Sequence, residues 1–268
     1  MGSGIAEAFA RTEGFDVILT DATQELAAGG QARIHAGLDR QVAKGRLEPE
    51  TAEAIKTRLS IGVVADLADR DLVIEAIYEN MEAKKALFTQ LEELTGPETV
   101  LASNTSSLSV TELGNGLNHP VVGMHFFNPA PIMKLVEVIA GAQTPESLVT
   151  KVTDLAITLG KTPVRVSEAP GFVVNRILVP MINEAVEVLA AGTASAEDID
   201  TAMTLGANHP MGPLALGDLI GLDVVLAIME VLQSETGDPK YRPHPLLRKY
   251  VRAGWLGRKT GRGFRSYA

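Results

Sequence analysis

Apolar residues fall along this chain in two different rhythms. Up to residue 167, short β-rich runs at 16–20, 72–77, 99–102, 121–127, 134–139 and 162–166 alternate with helical patterns. Several of these runs are apolar on consecutive positions, as strands covered on both faces are. Helical periodicity occupies 4–12, a long polar pair over 24–57, and 81–94, where Ala83, Leu87, Leu91 and Leu94 share one stripe. Such alternation predicts an α/β domain with a mostly parallel sheet over residues 1–167. Beyond Pro170-Gly171 the pattern is helical throughout, at 172–191, 196–205, 213–234 and 246–253, which predicts a smaller all-helical domain over 168–268. Pro180 is expected to kink the first of these helices, because proline removes a helix hydrogen bond and crowds the preceding turn. So small a bundle cannot easily hide this much apolar surface by itself, so a homodimer through the helical half is expected.

With 268 residues, 46% of them apolar, the chain can bury two cores. The formal charge of −9 comes with no large basic block, which argues against a nucleic-acid partner. The longest nearly unbroken apolar stretch, 224–232, is interrupted by Glu230 and falls short of the roughly 20 residues a membrane span needs, so no membrane partner is expected. The chain has no cysteine, which removes disulfides, thiolate zinc sites and a cysteine nucleophile. No metal site is expected. A cytoplasmic enzyme or binding protein is the class that remains.

The chain opens Met1-Gly2-Ser3-Gly4-Ile5-Ala6 and runs straight into a helical pattern, and Asp21 closes a short strand 19 residues after Gly2. In the Rossmann-type dinucleotide fingerprint a strand leads into G-x-G-x-x-G, the pyrophosphate rests on a helix N-terminus, and an acid about 20 residues later takes the ribose hydroxyls. Gly2 corresponds to the third glycine of that pattern and Asp21 to the acid. A flexible helix start and a capping turn residue remain the plain alternatives for the two. The preceding strand and the first two glycines do not occur in the sequence, so residues upstream of Met1 are expected. In the order 3-2-1-4-5-6 that strand is central. Its neighbours would stand two spacings apart, roughly 10 Å, with unpaired inner edges. The pyrophosphate would lose the close backbone approach of the first glycines.

His125 interrupts the run Val121-Val122-Gly123-Met124-His125-Phe126-Phe127, and Glu137 interrupts Lys134-Leu135-Val136-Glu137-Val138-Ile139. A carboxylate in such a strand is costly unless paired, and the short link over 128–133 makes each the natural partner of the other. Two uses of the pair stand open: a purely structural contact, or a histidine whose tautomer is set by the acid and whose second nitrogen serves as general base. His35, His119, His209 and His244 lie in polar, proline-flanked or helical contexts and read as surface or capping groups. Ser103-Asn104-Thr105-Ser106-Ser107 puts small hydrogen-bonding groups at the carboxyl end of a strand, where open α/β sheets bind ligands, although helix capping would use some of them. Asn175 follows Gly171 by four residues, near the expected domain junction.

Together these segments, with Glu75-Ala76-Ile77-Tyr78-Glu79-Asn80, His125-Phe126-Phe127-Asn128-Pro129, Pro170 to Arg176, His209 to Gly217 and Gly257 to Phe264, closely resemble the L-3-hydroxyacyl-CoA dehydrogenase family, in its bacterial branch acting on 3-hydroxybutyryl-CoA. The resemblance spans the whole chain. It implies oxidation of an acyl-CoA thioester substrate by hydride transfer to NAD, with NADP disfavoured by the acid Asp21. It implies His125 as catalytic base, Glu137 as its orienting carboxylate, and Ser106 and Asn175 as the groups holding the substrate oxygen. Gly2, Asp21, Glu79, Lys84, Ser106, Asn128 and Lys259 would contact the cofactor. The polar pair over 24–57 resembles the family's projecting arm near the CoA moiety. A non-catalytic, crystallin-like oligomeric member of the same fold is the competing expectation.

Overall fold

The computed structural model describes residues 1–267 and divides into two compact units, Met1–Glu168 and the residues from Ala169 onward. Unit 1 runs α1 (Gly2–Ala10), β1 (Val17–Leu19), α2 (Gln24–Ala43), α3 (Pro49–Thr57), β2 (Leu59–Ile61), β3 (Leu72–Glu75), α4 (Met81–Leu94), β4 (Val100–Ser103), α5 (Val110–Leu113), β5 (Val121–Phe126), β6 (Leu135–Ala140), α6 (Glu146–Thr158) and β7 (Thr162–Ser167). The expected strands are all present, and β2 is an additional one. It escapes the hydrophobic pattern because it is three residues long and only Leu59 is buried.

The sheet is in two pieces. Strand β1 pairs in parallel with β2, while β3-β4-β5-β6-β7 form a second sheet that is parallel except for the antiparallel β5–β6 pair. Among the described residues no ladder joins β1 to β3, so the expected interruption of the sheet is present. Helix α1 covers both pieces: Ile5 and Phe9 pack with Val122, Met124 and Val138, while Ala6 and Ala10 pack with Ile34, Leu38 and Leu59.

The period of two along each strand sorts the second sheet into two faces. Ile74, Ala102, Val122, Met124, Val136 and Val138 face the main core with Val149 and Val152 of α6. The alternate positions, Glu75, Ser103, Gly123, His125 and Glu137, therefore share the opposite face. Gly123 is small because α5 comes close there: a Cβ would lie 2.7 Å from Ile139 Cβ and 3.1 Å from Val110 Cγ2.

Unit 2 holds α7 (Val174–Ala190), α8 (Ala196–Gly206), α9 (Pro213–Ile220), α10 (Leu222–Thr236) and α11 (Pro245–Arg252). Helix α7 continues through Pro180, and Val179, Ile182, Leu214, Leu222, Met229 and Leu232 build its core. The single helix expected over 213–234 is two, because Gly221 takes φ of 107°, outside any helical conformation. Buried Asp200 accepts the N–H groups of Leu214 and Ala215 at 2.8 and 3.0 Å, satisfying two donors at the start of α9. Buried Asp218 does the same for the C-terminal segment, accepting the N–H groups of Phe264 and Arg265 and the hydroxyl of Tyr267 at 2.9, 3.0 and 2.9 Å.

Candidate active site

His125 and Glu137 are directly opposite in the β5–β6 register, and His125 Nδ1 lies 2.8 Å from Glu137 Oε2. The side chains are 7% and 1% exposed. A carboxylate so enclosed is stable only with a donor, and the imidazole provides it. Phe127, which follows β5, rests its ring 4.5 Å from the imidazole, limiting its rotation.

The polar turn after β4 is organised by a residue from the preceding crossover. Glu79 Oε1 accepts the Thr105 hydroxyl at 2.6 Å, the Ser106 and Ser107 N–H groups at 2.8 and 3.1 Å, and both serine hydroxyls at 3.3 Å. Burial alone would raise the Glu79 carboxyl, but the Thr105 hydroxyl, the Lys84 charge and the Ser106 N–H outweigh it and hold it below the usual carboxylate range. Of the row expected to cap, Thr105 Oγ1 accepts the Ser107 and Leu108 N–H groups at 3.3 and 2.9 Å, while the N-cap of α5 itself is Ser109, whose hydroxyl accepts the Glu112 N–H. Asn104 ties the turn to the histidine strand, its Oδ1 accepting the Phe126 N–H at 2.8 Å.

Beneath the turn, Glu75 at the end of β3 accepts Lys84 Nζ at 2.7 and 2.9 Å, the Ser103 hydroxyl at 2.6 Å and the Ile77 N–H at 2.6 Å. Lys84 also lies 3.2 Å from Glu79, which is 34% exposed, whereas the Glu75 and Lys84 side chains are both sealed from solvent. Glu75 was missed as a site residue. Its signal is of the same kind as that of Glu137, a carboxylate placed in an apolar strand, here at the end of β3. Lys161 was missed as well. Three residues past the end of α6, its ammonium donates to the carbonyls of Ala130 and Met133 at 2.6 and 2.9 Å, clamping the β5–β6 link, and burial lowers its pKa. Nothing in its local sequence marks it.

The other expected site residues are distributed as follows. Asn128 begins the β5–β6 link and lines a cavity of about 540 Å³ with Met1, Gly4, Arg11 and Arg46. Asp21 is exposed two residues past β1 and accepts the Ala22 N–H at 2.8 Å. Gly2 starts α1 beside the end of β3, a Cβ there lying 3.8 Å from that of Ala76. In unit 2, Asn175 is the second residue of α7, and Lys259 pairs with Asp223 at 2.6 and 2.7 Å.

These features fit a dinucleotide. Met1 offers α1 no side-chain cap and the first turn holds no acid, so its backbone donors suit a phosphate, and Asp21 follows β1 by two residues. Among the described residues no group of three His, Asp or Glu could hold a metal ion, and no helix is long and apolar enough to cross a membrane.

Comparison with known proteins agrees with this geometry. Residues 1–169 match the NAD binding domain of 3-hydroxyacyl-CoA dehydrogenase, and residues 171–267 match its C-terminal domain. The chain is 55% identical over 270 residues to a 3-hydroxybutyryl-CoA dehydrogenase of Clostridioides difficile, covering 100% of this chain and 96% of the relative. It is 53% identical to a probable 3-hydroxybutyryl-CoA dehydrogenase of Bacillus subtilis, covering 100% and 94%. A crystal structure of (S)-3-hydroxybutyryl-CoA dehydrogenase from Ralstonia eutropha superposes with a TM-score of 0.95 at 47% identity, covering 100% of this chain and 95% of that one. A nucleotide-ready sheet edge, a histidine held by a buried acid and two domain matches that together span the chain converge on one assignment: the chain belongs to the 3-hydroxyacyl-CoA dehydrogenase family.

Proposed function

We propose that this protein interconverts (S)-3-hydroxybutyryl-CoA and acetoacetyl-CoA with NAD, working as a cytoplasmic homodimer. The observation that carries the reading is the 2.8 Å contact between His125 and Glu137 on one face of the sheet, beside the turn that bears Ser106. In the oxidation, His125 Nε2 removes the hydroxyl proton of the substrate. Glu137 balances the imidazolium that forms, and the hydrogen bond at Nδ1 keeps the ring in place. Ser106 and Asn175 donate to the substrate oxygen as it becomes a carbonyl, a type of contact worth several kcal/mol in the transition state. In the reverse direction His125 returns the proton to the oxygen of the reduced ketone.

When bound, NAD supplies the hydride acceptor. The start of α1 at Gly2 would hold its phosphates, Asp21 its ribose hydroxyls, and Glu79, Ser106, Asn128 and Lys259 would hold the remainder. Asp21 favours NAD over NADP, because a 2′-phosphate beside this carboxylate would meet like charge. Ile177 and Leu205 in unit 2, 69% and 80% exposed, support a second copy as the partner.

NADH oxidation with acetoacetyl-CoA tests the function directly, with NADPH and free acetoacetate as comparison substrates. Turnover with NADH and the thioester is expected. Its absence in the folded protein favours the non-catalytic oligomeric reading. Sedimentation of the purified protein checks the dimer, and cell fractionation checks the location.

A further inference from the structure

Lys161 is aimed by a rigid piece of backbone. Helix α6 ends in a Schellman arrangement: Gly160 takes φ of 68°, its N–H donates to the Ile157 carbonyl at 2.8 Å, and the Lys161 N–H donates to the Ala156 carbonyl at 3.0 Å. Strand β7 begins at the next residue, where the Thr162 N–H donates to the Lys134 carbonyl at 2.7 Å. Between these fixed points the lysine side chain turns inward. Among the described residues its acceptors are the carbonyls of Ala130 and Met133, and no carboxylate pairs with it. Lysine is rarely buried without a counter-charge, and desolvation here lowers its pKa. A neutral side chain would meet no such cost, so the buried charge marks a demand other than stability.

We propose that Lys161 is a positioning residue: its ammonium holds the 128–133 link in the arrangement that presents Asn128, three residues past His125, to the cofactor. This rests on the proposed dehydrogenase function and deepens it. The link joins the strand of His125 to the strand of Glu137, and it is a closed turn, since the N–H groups of Ile132 and Met133 both reach the Pro129 carbonyl, at 3.0 and 2.9 Å. Ala130 anchors it in the core that contains Ile5 and Phe9 of α1. The far side has little packing of its own, because Ile132 and Met133 are 74% and 42% exposed. Two charge-assisted bonds from Lys161 supply what packing does not, tying the carbonyls on both sides of Ile132 to the body of unit 1. Asn128 itself is exposed, so its position follows from the turn it begins.

The test is a double-mutant cycle on NADH binding, read by fluorescence titration, with Lys161→Met and Asn128→Ala. Methionine keeps the apolar stem and leaves no carboxylate unpaired, so the variant is expected to fold, with circular dichroism as the check. Lys161→Met alone should weaken NADH binding about tenfold, a modest share of what a misplaced contact can cost. In the Asn128→Ala background the same change should cost less than about threefold, because the contact it would misplace is already gone. Exchange of the Ile132 and Met133 amides should quicken. Lys161→Gln, which keeps an N–H donor, runs the same cycle with the same non-additivity expected should the methionine variant not fold. NADH affinity within about twofold of the parent, losses that multiply in the double variant, or unchanged exchange at those amides would each overturn the proposal, since a lysine that merely supports the fold couples to no single ligand contact. A parent that binds NADH without turning over acetoacetyl-CoA would refute the functional reading while the cycle still decides the role of Lys161, and a parent that binds no NADH overturns both.

Discussion

Replacing Glu137 with glutamine removes a charge while keeping the volume and the β5–β6 register. His125 Nδ1 and Glu137 Oε2 are 2.8 Å apart, so the centres of imidazolium and carboxylate stand near 4 Å, where opposite unit charges attract by about 4 kcal/mol at an effective dielectric of 20. This attraction is realised when the imidazolium forms, and at about 1.4 kcal/mol per tenfold it corresponds to a rate factor near one thousand. A glutamine oxygen still accepts from Nδ1 and retains part of the stabilisation, since a neutral hydrogen bond has roughly half the strength of a charge-assisted one. The expected loss in kcat is therefore about 30-fold to 1,000-fold, with KM for the thioester changed by less than about threefold, because the interaction belongs to the transition state. Steady-state NADH oxidation measures both constants, and circular dichroism verifies the fold. A kcat within about threefold of the parent would show that Glu137 does not balance a charge on His125, and the proton-transfer scheme would fall with it.

The remaining expectations address the base, the tail and the two acids. His125→Ala should lose at least about 100-fold in turnover while keeping its fold, and near-normal rates would remove His125 from the mechanism. Gly263→Ala would bring a Cβ to 1.8 Å from Asp218 Oδ1, so the C-terminal segment must shift. Calorimetry should find a destabilisation of about 1–3 kcal/mol, and an unchanged Tm would show that the segment is not docked on Asp218. Because Glu79 titrates below its ordinary 4.5 in the folded protein, its stabilisation is present above that pH and disappears as pH falls through the lowered value. Urea titrations should accordingly find a stability difference between parent and Glu79→Gln that is constant at neutral pH and narrows only in acid; a difference that persists at the most acidic pH would contradict this. Asp21→Ser should improve kcat/KM for NADPH relative to NADH, and an unchanged preference would mean that Asp21 does not face the ribose.

Much of unit 1 was legible because the fold depends there on local, periodic signals. The consecutive apolar runs of β4 and β5 mark strands covered on both faces, and His125 and Glu137 stood out as polar interruptions of them. Where the signal was short or conformational, it failed. Strand β2 shows only one buried residue, and the break between α9 and α10 turns on the backbone angle of Gly221. Lys161 illustrates a different limit, since its partners are backbone carbonyls 31 and 28 residues away, which carry no side-chain identity.

The amino-acid sequence by itself determined the alternation of strands and helices, the change to an all-helical half, and the type of chemistry available, because periodicity and residue type act over a few neighbouring positions. The short link between β5 and β6 already paired Glu137 with His125, and only the tertiary structure decided how the other charges meet. Strand register brings Ser103 opposite Glu75, and the packing of α4 inserts Lys84 between two carboxylates. Coulomb and hydrogen-bond energies depend on distances between atoms far apart in the chain, and those distances exist only once the sheet has formed.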